Sequence, residues 1–371
     1  MGGDWGGDGR YMQQHRPPVN PRQGVGQPGA QARSPQRPPA GNRPRPPARP
    51  RRKKRRGGRI FGVIVLVIVL LLAGLWLYVD FSLNRVSALG DYSGRPAQGA
   101  GTNWLIVGSD SRQGLTAAQA AKLHTGNAAA AGGQRTDSIM LLHLPDNSTK
   151  PTLVSLLRDS YVSIPGHGKG KINSAFSYGG PQLLTETVEQ ATGLRIDHYA
   201  EIGFGGFASV VDDVGGVNMC LKQPVKDPYA GLNLPAGCQD MNGPTALSYV
   251  RSRHAFAAGD YARTEHQREF IGTLANKIAS PGVMLNPFKA VPLLLDLPKA
   301  LTVANGDHLQ NLIGMAWDVR GISSGGVVTT GVPISGHHGG SDLLWDQSQS
   351  QQMFHDLNHD QALPASLVTN H

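Results

Sequence analysis

Residues 102–112 read TNWLIVGSDSR, and residues 135–144 read RTDSIMLLHL. Each segment contains a short apolar run next to a polar cluster. In the first segment the cluster follows the run and contains Asp110, and in the second it precedes the run and contains Asp137. Apolar runs of this length with Gly or polar residues at their ends are typical of strands buried on both faces of a sheet. The two segments therefore predict neighbouring strands whose polar ends lie at the rim of a sheet.

The same pattern continues along the chain. Further apolar runs, TLVSLL at 152–157 and HYAEIGF at 198–204, alternate with longer amphipathic segments at 181–192 and 261–280. Strands that alternate with helical patterns predict a layered α/β domain around a largely buried sheet. Residues 113–134 are rich in Ala, Gly and Gln without a clean period, and we interpret them as an inserted helix and loop.

The N-terminal part has a different composition. Residues 1–58 contain eleven Pro and eleven Gly with few large aliphatic side chains, so they cannot bury enough apolar surface to offset the entropy of ordering. Residues 60–79 then carry no charge, and twenty residues at helical rise span about 30 Å, the thickness of a hydrocarbon core. We predict a disordered tail at 1–59, a transmembrane anchor at 60–79, a linker at 80–101 and a folded domain at 102–371.

The formal net charge of +9 belongs to the tail. Residues 1–59 carry fifteen Lys or Arg against two Asp, whereas the rest of the chain carries twenty against twenty-four Asp or Glu. The positive-inside rule keeps the basic run at 51–56 in the cytoplasm, which places the folded domain outside it. A tail on the other side of the membrane cannot bring this domain to DNA, so we expect no nucleic-acid partner and interpret the tail as a contact for anionic lipids.

Export also changes the interpretation of the two cysteines. Cys220 and Cys238 enclose a segment with Pro and Gly that looks like a loop. Outside the cytosol such a pair tends to oxidise, so we predict a disulfide, with two free buried thiols as the alternative. Neither cysteine has a close Cys or His partner at zinc-finger spacing, which argues against a metal site here.

The polar clusters indicate an anion site. Asp110 and Asp137 at adjacent strand ends could bind Mg²⁺, which prefers one or two carboxylates with water and substrate phosphate, although Asp is also common in turns. In the helical segment from residue 260, Arg263 and Gln267 share a face with apolar residues, and a buried guanidinium needs anionic partners. The alternatives are a structural network of Arg and carboxylates or a diphosphate site with a metal ion. Six Arg residues lie beside predicted strand or helix ends: Arg112, Arg135, Arg158, Arg251, Arg253 and Arg263.

Other enzyme classes find no support in the sequence. The chain contains no G-x-S-x-G, P-loop or H-E-x-x-H motif, which argues against a common serine hydrolase, a nucleoside triphosphatase and a zincin. The last ninety residues carry no further catalytic motif, and we expect them to complete the same domain. Their apolar stretch at 291–301, VPLLLDLPKAL, is interpreted as core rather than as the lining of a lipid pocket.

Seven motifs follow one another in a fixed order along the chain: NWLIVGSDSR, RTDSIMLLHL, SLLRDSYVSIPG, KINSAFSYGG, DDVGGV, MNGPTALSYVRSRH and DYARTEHQREF. Taken together, they resemble the LytR-CpsA-Psr family of bacterial envelope proteins. The resemblance implies a three-layer α/β/α domain with a central mixed sheet, whose apolar pocket holds a polyprenyl chain and whose mouth binds the diphosphate with Arg side chains and Mg²⁺ or Mn²⁺.

The resemblance also implies roles for individual residues. The candidate metal ligands are Asp110 and Asp137, which together with Arg158 and Arg263 are the candidate catalytic residues. The candidate substrate-binding residues are Arg112, Arg135, Lys171, Arg251, Arg253 and Gln267. Three positions depart from the family pattern: Leu157 replaces the usual Pro, Ser160 a frequent Thr, and His266 a common Arg.

The function implied by the resemblance is transfer of a glycopolymer, such as teichoic acid or arabinogalactan, from a polyprenyl diphosphate to peptidoglycan through a phosphodiester. The partners are then the lipid-linked glycopolymer, peptidoglycan and membrane lipids, and the protein is a single-pass membrane enzyme with a cytoplasmic N-terminus. One alternative is a polyprenyl-diphosphate phosphohydrolase that uses water as the acceptor. A second is a non-catalytic envelope protein that binds the lipid-linked glycan.

Overall fold

The computed structural model of the chain describes residues 57–111, 117–123, 135–252, 259–319, 322 and 325–368, with the backbone alone described at 57, 117 and 259–266. Of the predicted tail at 1–59, only the last three residues lie inside these ranges, and they begin the first helix.

The strands are β1 (Asn84–Val86), β2 (Thr102–Ser109), β3 (Thr136–Leu144), β4 (Thr152–Leu156), β5 (Tyr161–Ile164), β6 (Gly168–Lys171), β7 (His198–Ile202), β8 (Val217–Leu221), β9 (Val225–Asp227), β10 (Leu232–Leu234), β11 (Gly237–Met241), β12 (Leu301–Ala304), β13 (Val328–Gly331), β14 (Ile334–His338) and β15 (Asp342–Trp345). The helices are α1 (Gly57–Phe81), α2 (Ala117–Lys122), α3 (Ile172–Thr192), α4 (Phe204–Asp213), α5 (Gly243–Arg251), α6 (Gly259–Ile278), α7 (Pro281–Met284), α8 (Pro287–Ala300), α9 (Leu309–Asp318) and α10 (Gln347–Asn358).

Helix α1 contains the predicted anchor. Among the described helices it alone is long and apolar enough to cross a membrane, over Gly58–Phe81, and none of its most apolar window is buried by the rest of the chain. The helix continues for 25 residues, and no Pro interrupts it. One apolar N-terminal helix of this length indicates single-pass anchoring.

Seven strands form the central sheet, in the order β1-β12-β7-β2-β3-β4-β13. Strand β2 is parallel to β7 and antiparallel to β3, while β12 is antiparallel to β7 and β13 is parallel to β4. The sheet is therefore mixed, as predicted. Edge strand β1 comes from the segment at 80–101 that the sequence predicts as a linker, and it pairs in parallel with β12.

Alternation along the strands produces the layers. In β2, Leu105 and Val107 point into a core that is completed by α3 and α10, whereas Trp104 points to the opposite face, where it joins Leu312 of α9. Successive side chains of a strand lie on opposite faces, so the apolar run covers both sides of the sheet. The three-layer α/β/α architecture is confirmed.

A second core lies beside the sheet, where α4, α5, α6 and α8 pack with the small strands β8 to β11. Cys220 and Cys238 are directly opposite each other in the antiparallel pair of β8 and β11, and they form a disulfide. The predicted disulfide is confirmed and the alternative of free thiols is wrong. The enclosed segment is more ordered than a loop, because it contains the hairpin β9–β10 and a 3₁₀ turn at Pro228–Ala230.

The C-terminal residues complete the sheet by adding β12 and β13. The interpretation of residues 291–301 as core holds for only one side of α8. Leu293 is buried, whereas Val291 and Leu294 are exposed. The reason is that α8 is apolar around most of its circumference, and a helix on the surface of a domain can bury only one stripe.

Candidate active site

The polar ends of three strands meet at one end of the sheet. Asp110 follows β2 directly, Asp137 is the second residue of β3, and Arg158 follows β4. Because β3 is antiparallel to both β2 and β4, the end of β2, the start of β3 and the end of β4 lie side by side. The backbone N–H of Arg135 donates to Asp110 Oδ1 at 2.7 Å, and the N–H of Asp110 donates to the carbonyl of Arg135 at 2.9 Å.

These ends border an open cavity of about 300 Å³. Its walls carry three Arg and three Asp side chains, so both charge signs converge on one space. The residues that line it are Asp110, Arg135, Asp137, Arg158, Asp227, Tyr229, Ala230 and Arg251. Five of the residues predicted from the sequence are thereby brought together: Asp110, Arg135, Asp137, Arg158 and Arg251.

Arg158 is held by two carboxylates. Its Nη1 lies 2.9 Å from Asp137 Oδ1, and its Nε lies 3.4 Å from Asp159 Oδ2. Asp159 is buried, and its other oxygen lies 2.7 Å from the Nζ of Lys171. Lys171 also donates to Ser341 Oγ at 2.6 Å. The predicted substrate ligand Lys171 therefore lies behind the cavity wall, where it positions Asp159 instead of lining the cavity.

Arg251 reaches the cavity from the end of α5. Its guanidinium lies over the ring of Phe204, with the carbon Cζ 4.6 Å from the ring centroid. A cation held on an aromatic face is oriented without neutralisation of its charge. The stacking therefore helps to fix the direction of the guanidinium beside the cavity that Arg251 lines.

Gln267 supports the floor of the site. It is buried, its Oε1 accepts a hydrogen bond from Ser138 Oγ at 2.9 Å, and its Nε2 donates to the carbonyl of Val250 at 2.8 Å. These bonds connect α6 with β3 and α5. Gln267 thus acts as a positioning residue in this structure.

Three predicted residues have no described side chain. Arg112 and Arg253 lie outside the described ranges, and Arg263 has only its backbone described, in the second turn of α6. The departure at His266 falls in the same backbone-only stretch.

Asp227 and Tyr229 line the cavity but were not among the predicted site residues. The buried Asp227 caps the 3₁₀ turn, since its Oδ1 accepts from the N–H of Tyr229 at 3.1 Å and of Ala230 at 3.2 Å. Its Oδ2 accepts from Ser252 Oγ at 3.1 Å. Asp followed by Pro is a signature of a helical N-terminus, and this signal inside the Cys-bounded segment could have marked the turn. It could not have shown that the turn reaches the cavity.

The carboxylate groups around the cavity fit a hard divalent cation whose coordination shell is completed by oxygens of a substrate. Asp110 and Asp137 line the same space, and Mg²⁺ usually takes one or two carboxylates and completes its shell with water and phosphate oxygens. In the part of the chain that the structure describes, no group of three or more His, Cys, Asp or Glu residues could hold a metal ion without such help.

Comparisons with known proteins agree on one family. The family model described as LytR_cpsA_psr matches residues 84–359. The chain is 48% identical over 300 residues to the probable cell wall biosynthesis protein LcpB of Corynebacterium glutamicum, which covers 80% of this chain and 70% of that protein. It is 31% identical over 309 residues to LcpA of the same organism, covering 74% of this chain and 58% of LcpA.

Solved structures share the fold. A LytR-Csp2A-Psr enzyme from Actinomyces oris superposes with a TM-score of 0.57 at 22% identity, over 75% of this chain and 96% of that one. A structure of TagT bound to LI-WTA gives a TM-score of 0.50 at 22% identity, over 70% and 89% of the two chains. The family match over three quarters of the chain and the close similarity to LcpB show that this chain belongs to the LytR-CpsA-Psr family of cell wall biosynthesis proteins.

Proposed function

We propose that the protein is a membrane-anchored phosphotransferase that moves a glycopolymer from a polyprenyl diphosphate carrier onto peptidoglycan. The observation that carries this proposal is the cavity in which Arg135, Arg158 and Arg251 converge with Asp110 and Asp137. Planar guanidinium groups suit phosphate oxygens, and several of them around one space suit a diphosphate better than a single carboxylate ligand.

The reaction is the attack of a peptidoglycan sugar hydroxyl on the phosphorus that carries the glycan. A new phosphorus–oxygen bond forms, the bond from that phosphorus to the bridging oxygen breaks, and polyprenyl phosphate leaves. The three Arg side chains stabilise the negative charge on the transferring and leaving phosphates. Asp110 or Asp137, two of the three carboxylates that line the cavity, would accept the hydroxyl proton.

Asp110 and Asp137 are also the residues that would hold Mg²⁺ or Mn²⁺. A divalent ion there would neutralise part of the diphosphate charge. Arg158 contacts Asp137 directly, so this guanidinium orients one carboxylate of the pair as well as facing the substrate. The backbone N–H of Arg135 orients the other carboxylate, Asp110.

The sheet places the cavity close to the anchor. One row of paired residues runs from Asn84 of β1 through Thr302 and Glu201 to Val107 of β2. Three strand spacings of about 4.8 Å separate β1 from β2, or roughly 14 Å. Helix α1 ends at Phe81, just before β1. A donor whose lipid stays in the membrane can therefore present its diphosphate to this cavity.

The relatives support a cell wall glycopolymer as the substrate. LcpB and LcpA are cell wall biosynthesis proteins, and TagT has been captured with LI-WTA. The basic run at 51–56 supports a cytoplasmic N-terminus and an extracytoplasmic site, because Lys and Arg next to a membrane helix stay inside. A disulfide at Cys220 and Cys238 is consistent with export.

The test uses full-length protein in nanodiscs with a polyprenyl diphosphate-linked glycan, Mg²⁺ and peptidoglycan fragments, with products analysed by mass spectrometry. We expect glycan joined to the fragment by a phosphodiester and an equal amount of polyprenyl phosphate. Arg158→Ala should abolish the adduct. Lys150→Ala should retain it, because Lys150 is exposed at the opposite end of β4 and donates to the carbonyl of Gly325.

Two other results would identify a different function. Release of glycan phosphate without an adduct would show a phosphohydrolase that uses water as the acceptor. Binding of the lipid-linked glycan without either product would show a non-catalytic envelope protein.

A further inference from the structure

Large hydrophobic side chains are exposed on one part of the domain. Outside α1, the described residues include nine such side chains, and only Tyr178 and Tyr229 lie elsewhere. The other seven form what we call the apolar shelf, on α7, α8 and α9 with the connection between the first two: Met284, Leu285, Phe288, Val291, Leu294, Ile313 and Trp317. Phe288 is 89% exposed and Trp317 is 65% exposed. Exposed large apolar side chains that are concentrated in one stretch of the chain, 284–317, mark an interaction surface.

Two of the helices that carry the apolar shelf, α8 and α9, each have one end beside the end of the anchor. Helix α8 ends beside α1, since the side chain of Asn84 donates to the carbonyls of Lys299 at 2.6 Å and Leu301 at 3.2 Å. Helix α9 begins there too. Asp80 accepts from the backbone N–H of Leu309 at 2.8 Å and lies 3.1 Å from the ring nitrogen of His308. Both helices therefore start or end at the residues where α1 leaves the membrane.

No flexible spacer separates the domain from α1. Val79 is still inside the apolar run, yet the domain buries it to 3% exposure, and Leu83 is buried just beyond the helix. Arg85 bridges the two parts, with its Nη2 2.9 Å from Asp80 Oδ2 and its Nε 3.3 Å from the carbonyl of Asp307. A domain fixed at the last turn of a membrane helix must rest close to the bilayer surface.

We propose that the apolar shelf inserts into the outer interface of the same membrane that α1 spans. The inference rests on the proposed anchoring by α1 and goes beyond it, because it gives the domain a second, peripheral membrane contact. Trp side chains are enriched at the membrane interface, and Phe and Leu occur with Trp on the apolar face of interfacial helices. A helix with an apolar outer face lies in the interface plane and gains free energy from the apolar area that it buries.

The charges on the two helices indicate how the contact works. Helices α8 and α9 carry two Lys and two Asp, so they create no field of a single sign: Lys289, Asp296, Lys299 and Asp318. The Nζ of Lys299 lies 3.0 Å from Asp296, which neutralises one pair locally. Apolar insertion and not attraction to anionic lipids therefore drives the contact, and it should occur on zwitterionic bilayers.

Site-specific fluorescence tests the proposal. Full-length variants Phe288→Cys and Trp317→Cys are labelled with an environment-sensitive NBD dye and placed in phosphatidylcholine nanodiscs with or without a doxyl-labelled lipid. The native cysteines are paired and do not react. Leu70→Cys in α1 reports whether the anchor is inserted. Tyr178→Cys is the matched control, because Tyr178 is exposed and α3 covers the face of the sheet opposite to α9.

We expect doxyl lipid to quench the dye about twofold or more at positions 288, 317 and 70, and to leave position 178 unchanged. Quenching at position 70 without quenching at 288 and 317 would overturn the proposal and leave the anchoring intact. Absence of quenching at position 70 would overturn the anchoring itself. Positions 288 and 317 shielded from aqueous iodide but not quenched by lipid would show instead that a second copy of the chain covers the surface.

Discussion

At the scale of single residues, the site depends on how each charged side chain is held. Arg158 contacts Asp137 through Nη1 at 2.9 Å and Asp159 through Nε at 3.4 Å. A guanidinium can bridge two carboxylates and still present N–H groups to a phosphate, because its donors form a planar fork. An ammonium group is a point charge without this geometry.

We therefore predict that Arg158→Lys lowers kcat/KM for glycan transfer about 100-fold, although the charge is conserved. The melting temperature should change little, because the side chain is partly exposed at the cavity rim. The matched control Lys150→Arg should transfer normally. Wild-type activity in Arg158→Lys would show that charge alone suffices at this position.

The negative charge of Asp213 lowers the stability of the folded state. Its Oδ2 is buried without a hydrogen-bond partner among the described residues. Burial raises the pKa of the Asp213 carboxyl above its ordinary value, and the neighbouring charges of Asp296 and Asp212 act in the same direction. Asp213 also ends α4, where the helix dipole disfavours a negative charge.

A carboxyl with a higher pKa in the folded state binds more protons there, so its ionisation lowers the free energy of unfolding as the pH rises. We predict that Asp213→Asn stabilises the protein by about 0.5 kcal/mol at neutral pH, and that the gain disappears below the pKa of an unfolded Asp. Urea unfolding at several pH values measures this. Asp212→Asn should not stabilise, because Asp212 Oδ1 accepts from the N–H of Gly243 at 2.7 Å. An equal gain from both variants would contradict the assignment.

At the scale of elements, the disulfide-linked segment connects stability with the site. Cys220 and Cys238 join β8 to β11, and the enclosed chain carries Asp227 and Tyr229 to the cavity. Without the covalent link, this short antiparallel pair and its hairpin would have to be ordered by packing alone.

We predict that replacing both cysteines with Ser costs about 3 kcal/mol of stability, since the bond closes a loop of 18 residues. Transfer activity should fall as well, because the cavity wall becomes mobile. Thermal unfolding of the oxidised wild type, the reduced wild type and the double variant measures the effect. The reduced wild type should behave like the double variant, and a difference between them would point to a role for the thiols themselves.

Helix α3 is interrupted at a glycine, whose backbone conformation permits the break. Gly180 has φ 65° and ψ −156°, which only glycine adopts without strain, and Pro181 follows it. The break lets the chain change direction between the start of the helix near β6 and its long second part.

We predict that Gly180→Ala destabilises the protein by about 1–3 kcal/mol in denaturant unfolding. The matched control is Gly314→Ala in α9, where an added Cβ meets no atom within 4 Å and the backbone is helical. This control should stabilise by about 0.5–1 kcal/mol. Equal effects in the two variants would show that φ at residue 180 does not matter.

At the scale of the whole molecule, the orientation of the domain across the membrane can be read from the disulfide. Thiols in the cytoplasm stay reduced, whereas an exported pair oxidises. We predict that replacing the six basic residues at 51–56 with Gln lowers the fraction of chains with an oxidised pair in cells. Thiol alkylation before and after reduction measures this fraction.

The control for that experiment replaces the distal residues Arg10, Arg16, Arg22 and Arg33 with Gln. These lie more than about 20 residues before the anchor, beyond the distance over which basic residues set orientation. They should leave oxidation unchanged. Equal loss in both variants would mean that the disulfide does not report topology.

Much of the architecture follows from the amino-acid sequence alone, because it depends on local pattern. The continuous apolar run at 104–107 predicts a strand buried on both faces, and the uncharged run at 60–79 predicts a helix of membrane length. The position of Asp110 and Asp137 at the rim of the sheet was also predictable, because residues that flank a strand lie at the edge of the sheet where the strand ends.

Only the tertiary structure decided which charges share the cavity and which lie behind it. Lys171 follows the same kind of pattern as Arg158, yet it contacts Asp159 and Ser341, while the unpredicted Asp227 and Tyr229 reach the cavity from a distant hairpin. The apolar sequence of α8 likewise predicts a core helix, whereas the packing of the domain leaves one side of it exposed. Periodicity specifies which residues share a face of one element, but the packing of elements far apart in the chain determines what that face meets.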